Sequence, residues 1–177
     1  MGIKPFWILI IILAIQRLSE LVIAGHNERT TRGEGAVEYD TKGYKVIVAM
    51  HILFFISLIA EYFILKRSLS AFWPFFLIVI FLAEVLRYWA ILSLGKYWNT
   101  KILVIPGTVP VTKGPYSYVK HPNYVSVVIE IALIPLLFSC YITSAVFSIL
   151  NLIVLRRRIK IEERALLGQS GQAGIES

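Results

Sequence analysis

The chain carries one cysteine, Cys140, set in an apolar run. A single thiol builds neither a disulfide framework nor a cysteine-based metal site. Histidine is almost as scarce. His26, His51 and His121 lie far apart and lack the close spacing that holds zinc, so no metal is expected. Charge is short too. Only 16% of residues are charged, against about a quarter in soluble domains, while 57% are hydrophobic and the mean hydropathy is +0.71. Much of this chain therefore reads as solvated by lipid. The net charge of +7 invites thoughts of nucleic acid. No basic patch interleaved with exposed aromatics in a polar domain accompanies it, so no nucleic-acid partner is expected. Lys and Arg flanking membrane spans explain the excess better.

What is present is a series of apolar runs. A spanning helix needs about 20 mainly apolar residues. Residues 5–24, 44–65 and 71–92 qualify. Arg17 and Glu20 stand where a small-residue cleavage site would follow a signal peptide, so 5–24 reads as a retained first span. Position 6 is Phe, which removes Met-Gly as a myristoylation signal. Residues 93–122 are polar and rich in turn formers. Residues 123–155 are apolar throughout, too long for one span and barely enough for two. Pro135 and the Phe138-Ser139-Cys140-Tyr141 neighbourhood offer a break, which predicts a hairpin of two short helices. Cys140 is expected to serve core packing. The residues 168–177, GQSGQAGIES, read as a disordered tail.

The expected fold class is all-α: a polytopic integral membrane protein of about five transmembrane helices, with a C-terminal helical hairpin and a cytoplasmic pocket. Three spans occupy 1–92, with a cytoplasmic loop near 25–43, and a functional core occupies 93–167. Five spans alternate sides. Arg29, Arg32, Lys42 and Lys45 would then share a side with Lys96, Lys101, Lys113 and Lys120 and with Arg156, Arg157, Arg158, Lys160 and Arg164. Only Lys4, Lys66 and Arg67 fall opposite. The positive-inside rule places the first group in the cytoplasm, the N-terminus outside and the C-terminus inside. The expected location is a membrane crossed several times. Trp89, Tyr97 and Trp98 are placed near an interface, where they could flank a lipid gap.

Ionisable residues within apolar runs are costly and point to function by default. Arg17/Glu20 and Glu84/Arg87 are each three apart, so each pair can neutralise itself on one helix face. His51, Glu61 and Glu130 have no such neighbour.

Two polar stretches bracket the hairpin: GPYSYVKHPNY at 114–124 and RRRIKIEERAL at 156–166. Pro122 holds His121 extended and can sit in the first turn of the next helix. Asn123 and Tyr124 then occupy the opening turn, whose free N–H groups suit a carboxylate. On these residues alone, an ordinary loop-to-helix junction with an interfacial Tyr is the favoured account. Arg158 and Glu162 are i,i+4 on one face. A surface ion pair is the plain reading, weakened because Arg before Glu is the less favourable order.

Taken in order, Thr112-Lys113-Gly114-Pro115-Tyr116, Lys120-His121-Pro122-Asn123-Tyr124, an apolar hairpin, and Arg158-Ile159-Lys160-Ile161-Glu162-Glu163-Arg164-Ala165-Leu166 resemble the isoprenylcysteine carboxyl methyltransferase family. The resemblance covers roughly 95–166. The short length and RLSELVIAGHNE look like its compact bacterial members, which implies a bacterial plasma membrane. Lys120 replaces the usual Arg, and Pro110 falls where Leu is common. The resemblance implies an integral-membrane enzyme that uses S-adenosylmethionine and releases S-adenosylhomocysteine. It implies cofactor contacts at Thr108, Val109, Pro110, Val111, Tyr116, His121, Pro122, Asn123, Tyr124 and Glu162, with Lys101 as a further one. It implies that Arg158 is catalytic and binds the acceptor. The acceptor would be lipid-tailed, entering from the bilayer among membrane lipids, and would receive methyl on a carboxylate or acidic hydroxyl. Three alternatives accompany this: an alkylpyrone-type small-molecule O-methyltransferase, a phospholipid amine methyltransferase, and a non-enzymatic scaffold or transporter subunit.

Overall fold

A computed structural model describes the backbone of residues 3–173 and the side chains of 3–167. Five α-helices dominate: α1 (Ile3–Gly33), α2 (Thr41–Ile64), α3 (Trp73–Leu94), α4 (Pro122–Leu137) and α5 (Tyr141–Ala173). Among the described residues, α1, α2 and α3 are long and apolar enough to cross a membrane. Only 17%, 28% and 28% of their apolar windows are buried within the protein, so most of that apolar surface faces outward, as it does in lipid. The molecule is a multi-pass membrane protein.

Three expectations change in detail. First, α1 does not end near 24 but continues to Gly33. Its polar extension is held by an Arg32–Glu28 pair at 2.9 Å and by Asn27, whose amide donates to the Gly95 and Trp98 carbonyls at 3.1 and 2.8 Å. Second, the fold is not purely helical. Strand β1 (Val37–Tyr39) pairs antiparallel with β2 (Ile102–Val104), in register Val37 to Val104. Neither segment alternates long enough to signal a strand, and the pairing is non-local. Third, the hairpin is unequal. Its break falls at Phe138–Cys140, as Pro135 suggested, with Ser139 at φ 56°. The first arm, α4, is short, at roughly 24 Å by its 1.5 Å rise per residue. The second arm does not stop before the Arg/Glu segment. With neither Pro nor Gly from Tyr141 to Leu167, nothing interrupts it, and α5 runs on as one helix. It continues to Ala173 through part of the segment read as a tail; the remainder of that segment lies outside the described residues.

The hairpin's turn is stitched to α2. Glu61 accepts from the Ile142 and Thr143 N–H groups at 3.2 and 2.7 Å, satisfying two donors that every helix start leaves open. Arg67 holds the same carboxylate at 3.1 Å. Around this turn Phe6 stacks on Tyr62 at 3.9 Å and meets Phe138 edge-on, which ties α1, α2 and the turn into one core that includes the fully buried Cys140. Ser126 donates to the Ala83 carbonyl at 2.8 Å, so α3 and α4 pack closely.

The intramembrane charges form one network rather than two self-contained pairs. Arg17 bonds both Glu20 and Glu130 at 2.7 Å. Arg87 donates to Glu130 through Nε at 2.9 Å and through a second, shorter contact, and reaches Glu20 at 3.4 Å. Its own-helix partner Glu84 is farther, at 3.8 Å, and instead accepts from Gln16 at 2.7 Å. Glu130 of α4 is thus the shared partner of arginines on α1 and α3, and the three helices are cross-linked through it.

Candidate functional site

The opposite end of the bundle gathers three segments far apart in sequence. The sheet joins β1 to β2. Ala165 of α5 packs on Ile102 and Val104, and Arg157 reaches Asp40 at 2.6 Å. All three basic segments counted together above converge here.

Above this platform lies a cavity of about 180 Å³. The 105–111 loop contributes Thr108, Val109, Pro110 and Val111, and the turn at Gly114–Ser117 contributes Tyr116. Gly114 seats that turn on α3. Its φ is +63°, and a Cβ there would fall 2.1 Å from Ser93 Oγ, so only glycine fits. The start of α4 supplies His121, Asn123 and Tyr124, and α5 supplies Arg158 and Glu162. Lys101 also lines the cavity, though its ammonium is paired with Glu28 at 2.7 Å. Of the site residues implied by the resemblance, Pro122 alone does not line it. Pro122 is buried behind, in the first turn of α4, where its fixed φ shapes the junction.

Tyr124 organises the far wall. Its hydroxyl donates to Glu162 and accepts from Arg158 Nε at 2.8 Å. Arg158 also donates to the Thr100 carbonyl at 2.7 Å and is 6% exposed. Arg158 and Glu162 are therefore no surface ion pair: a half-buried phenol bridges them. His121 stacks on Tyr124 with ring centroids 5.4 Å apart and contacts Glu163 at 3.4 Å. The Tyr124 and Val125 N–H groups turn back to the His121 carbonyl, at 3.1 and 3.3 Å. That leaves Asn123 as the first-turn donor not engaged there. Its side-chain Oδ1 is buried without a partner among the described residues. Burial pushes the Tyr116 phenol well above its usual range, with the Glu162 carboxylate adding to the effect, so Tyr116 stays protonated and neutral.

A second cavity, of about 360 Å³, abuts the first. Leu21 of α1 and Ile47, Val48, Ile52 and Phe55 of α2 line its apolar part, and Leu155 of α5 joins them. Leu21 and Ile52, which line the cavity, are among the exposed apolar side chains. The two cavities share Trp98, Asn99, Asn123, Tyr124 and Arg158. Trp98 is 3% exposed and so does not stand at an outer interface as expected, whereas Trp89 and Tyr97 are exposed. Sequence reasoning missed Asn99. It holds the shared wall by donating to the Ala24 carbonyl and accepting from the Lys101 N–H, both at 2.9 Å. No motif marks it.

The model of the isoprenylcysteine carboxyl methyltransferase family matches residues 76–168, from α3 through the Arg/Glu part of α5. The chain is 49% identical over 161 residues to an uncharacterized protein, YpbQ, of Bacillus subtilis, covering 91% of this chain and 96% of that one. It is 27% identical over 156 residues to an uncharacterized protein of Haemophilus influenzae, covering 88% of this chain and 90% of the other. No solved structure matches it.

Proposed function

This chain belongs to the isoprenylcysteine carboxyl methyltransferase family, and from that premise we propose that it is an integral-membrane, S-adenosylmethionine-dependent O-methyltransferase. Its acceptor is the carboxylate or acidic hydroxyl of a lipid-tailed molecule. One observation carries the reading: two cavities, the more polar one holding Lys101, His121 and Glu162 and the other mainly apolar, meet at a single wall containing Arg158 and Tyr124.

The residues of the polar cavity fit the cofactor. Glu162 offers a carboxylate to its ammonium group, the Asn123 N–H at the α4 start suits its carboxylate, and the buried Asn123 Oδ1 awaits a donor. Thr108, Val109, Pro110, Val111, Tyr116 and His121 would enclose it, and Lys101 stands at the edge. When bound, it supplies an electrophilic methyl group on a cationic sulfonium.

Arg158 orients the acceptor oxygen from the other side of the wall. Two of its donors are occupied by Tyr124 and Thr100, and the rest of its five remain for an anionic oxygen. Those two bonds fix the guanidinium in place, so the oxygen is held in line without reorganisation. Charge is neutralised as an anionic oxygen meets a cationic centre, and the buried, water-poor wall favours that change. Arg158 must hold the oxygen without overstabilising it, because only stabilisation greater in the transition state speeds the step. An amine acceptor would be repelled by the same guanidinium, which ranks phospholipid amine methylation lower. We further place α4 and α5 in the membrane as a hairpin, giving five inserted helices, with the polar cavity at the cytoplasmic rim.

Calorimetric titration of S-adenosylmethionine into the detergent-purified protein tests this. The parent chain should bind, and Glu162→Ala and His121→Ala should each weaken binding more than about tenfold, roughly 1.4 kcal/mol. A folded parent protein that shows no binding, and no competition by S-adenosylhomocysteine, would favour a non-enzymatic membrane role instead.

A further inference from the structure

One face of α5 points away from the bundle and changes character along its length. Ile142, Val146, Ile149 and Ile153 follow one another at spacings of four and three, and all are exposed. Arg156, Lys160 and Arg164 continue the same row and are exposed too. Along this row the apolar side chains give way directly to cations, with no carboxylate among them.

Other cations at this end of the bundle are answered by carboxylates. Arg32 meets Glu28 and Glu38, Lys96 meets Glu34, Lys101 meets Glu28, and Arg157 meets Asp40. Arg156, Lys160 and Arg164 have no ion-pair partner among the described residues. Glu163, three residues from Lys160, contacts His121 instead, at 3.4 Å.

Depth along the helix makes that lack of a partner costly at Arg156. The helix begins at Tyr141, with Arg67 over the Tyr141 ring at 5.3 Å and Lys66 beside Arg67 in the chain. A tyrosine and two cations mark a bilayer boundary there. From that boundary Arg156 lies only about 22 Å along the axis, against about 30 Å of hydrocarbon. Lys160 stands at about 28 Å and Arg164 at about 34 Å. Any tilt shortens these reaches further. Helical side chains lean toward the N-terminus, here toward the bilayer centre, so Arg156 is poorly placed to extend back out. A bare cation at that depth is expensive.

An anion that descends to Arg156, with the bilayer thinned around it, removes the cost. The other arm of the hairpin favours such a thin place, because α4 is itself only about 24 Å long. A soluble polyanion could not follow Arg156 below the boundary. A phosphate carried on acyl chains can, and a guanidinium matches its oxygens two at a time.

We propose that Arg156 and Lys160 hold the phosphate of an anionic phospholipid on the outer face of α5, with its acyl chains lying along Ile149 and Ile153. The inference rests on insertion of α5 across the bilayer and not on what the cavities bind. Arg156 is two residues from Arg158, about 200° round the helix, so the lipid lies on the side away from the cavities.

Equilibrium binding of two fluorescently labelled lipids to the detergent-purified full chain tests it. Dioleoyl phosphatidylglycerol carries the net charge; dioleoyl phosphatidylcholine, with the same chains, does not. The parent protein should bind phosphatidylglycerol at least fivefold more tightly. Arg156→Leu should bring the two lipids within twofold, and Arg156→Gln serves the same comparison if Arg156→Leu does not fold. Lys160→Gln should reduce the preference. Arg164→Gln, beyond the boundary, and Lys96→Gln, whose parent residue is already paired with Glu34, should each keep at least threefold. Glycerol 3-phosphate, the anion without chains, should not displace the bound lipid. Equal binding of both lipids by the parent protein, or a preference that survives substitution of Arg156, overturns the proposal. So does an equal loss in Arg164→Gln or Lys96→Gln, which would mean that overall charge draws the lipid. Displacement by glycerol 3-phosphate would leave a soluble-anion site and overturn it as well.

Discussion

The Tyr124 hydroxyl sits between a guanidinium and a carboxylate, accepting from one and donating to the other. This makes Tyr124 the point at which the two cavities are mechanically joined. Substitution of Arg158 and of Glu162 should therefore have separable effects. In Arg158→Ala, S-adenosylmethionine binding should stay within about threefold of the parent, while methyl transfer to an acceptor falls at least a hundredfold. A hydrogen bond to a charged group contributes about 1.5–3 kcal/mol, or roughly ten- to a hundredfold, and alanine removes the remaining donors as well. In Tyr124→Phe both readouts should decline, because the hydroxyl serves both partners. Calorimetry on the cofactor and methyl incorporation from labelled cofactor measure the two separately. Equal loss of cofactor binding in Arg158→Ala would place Arg158 on the cofactor and not on the acceptor.

At the scale of elements, α5 connects the two cavities. Its first turn is capped by Glu61, its middle presents Asn151 and Leu155 to one cavity, and Arg158 and Glu162 follow toward the other. Glu61→Ala would leave two N–H groups and Arg67 without that partner, with water scarce around them. Each such loss costs about 1–3 kcal/mol, so thermal stability should drop by a few kcal/mol, and Glu61→Gln, which keeps one acceptor oxygen, should lose less. Thermal unfolding in detergent checks both; an unchanged midpoint in Glu61→Ala would mean the cap is not what fixes the turn. The turn itself was legible in the chain, since Pro135 and the polar Ser139 punctuate an otherwise uniform run. The partner of that turn was not. Glu61 precedes it by about eighty residues, and an isolated intramembrane Glu carries no sign of what it caps. The same limit hid the true partner of Arg87. Spacing suggested Glu84 on the same helix, but a carboxylate on α4 approaches more closely once three helices pack together. The cavity residues were largely legible because they belong to contiguous motifs. Asn99 and Asn151 were not, because single Asn residues acquire meaning only from what surrounds them.

For the whole molecule, orientation decides whether the proposed chemistry is feasible. In the proposed reaction the cofactor is water-soluble and made in the cytoplasm, and the acceptor is lipophilic. The polar cavity must open to the first compartment, and the apolar one to the bilayer. The sheet of β1 and β2 gathers the loops after α1 and α3 at the same end as the Arg/Glu part of α5, which is the end rich in Lys and Arg. Anionic headgroups and the insertion bias both favour that end inside. The lone thiol makes this testable. Cys140 is fully buried, so in a Cys140→Ser background any new cysteine is the one reactive site in the chain. Lys4→Cys should react with a membrane-impermeant maleimide in intact cells. Lys113→Cys, beside the cavity loop, should react only after the membrane is opened. The reverse pattern would put the polar cavity outside, away from any supply of S-adenosylmethionine, and the methyltransferase assignment would fail on access alone, whatever the cavity binds in detergent.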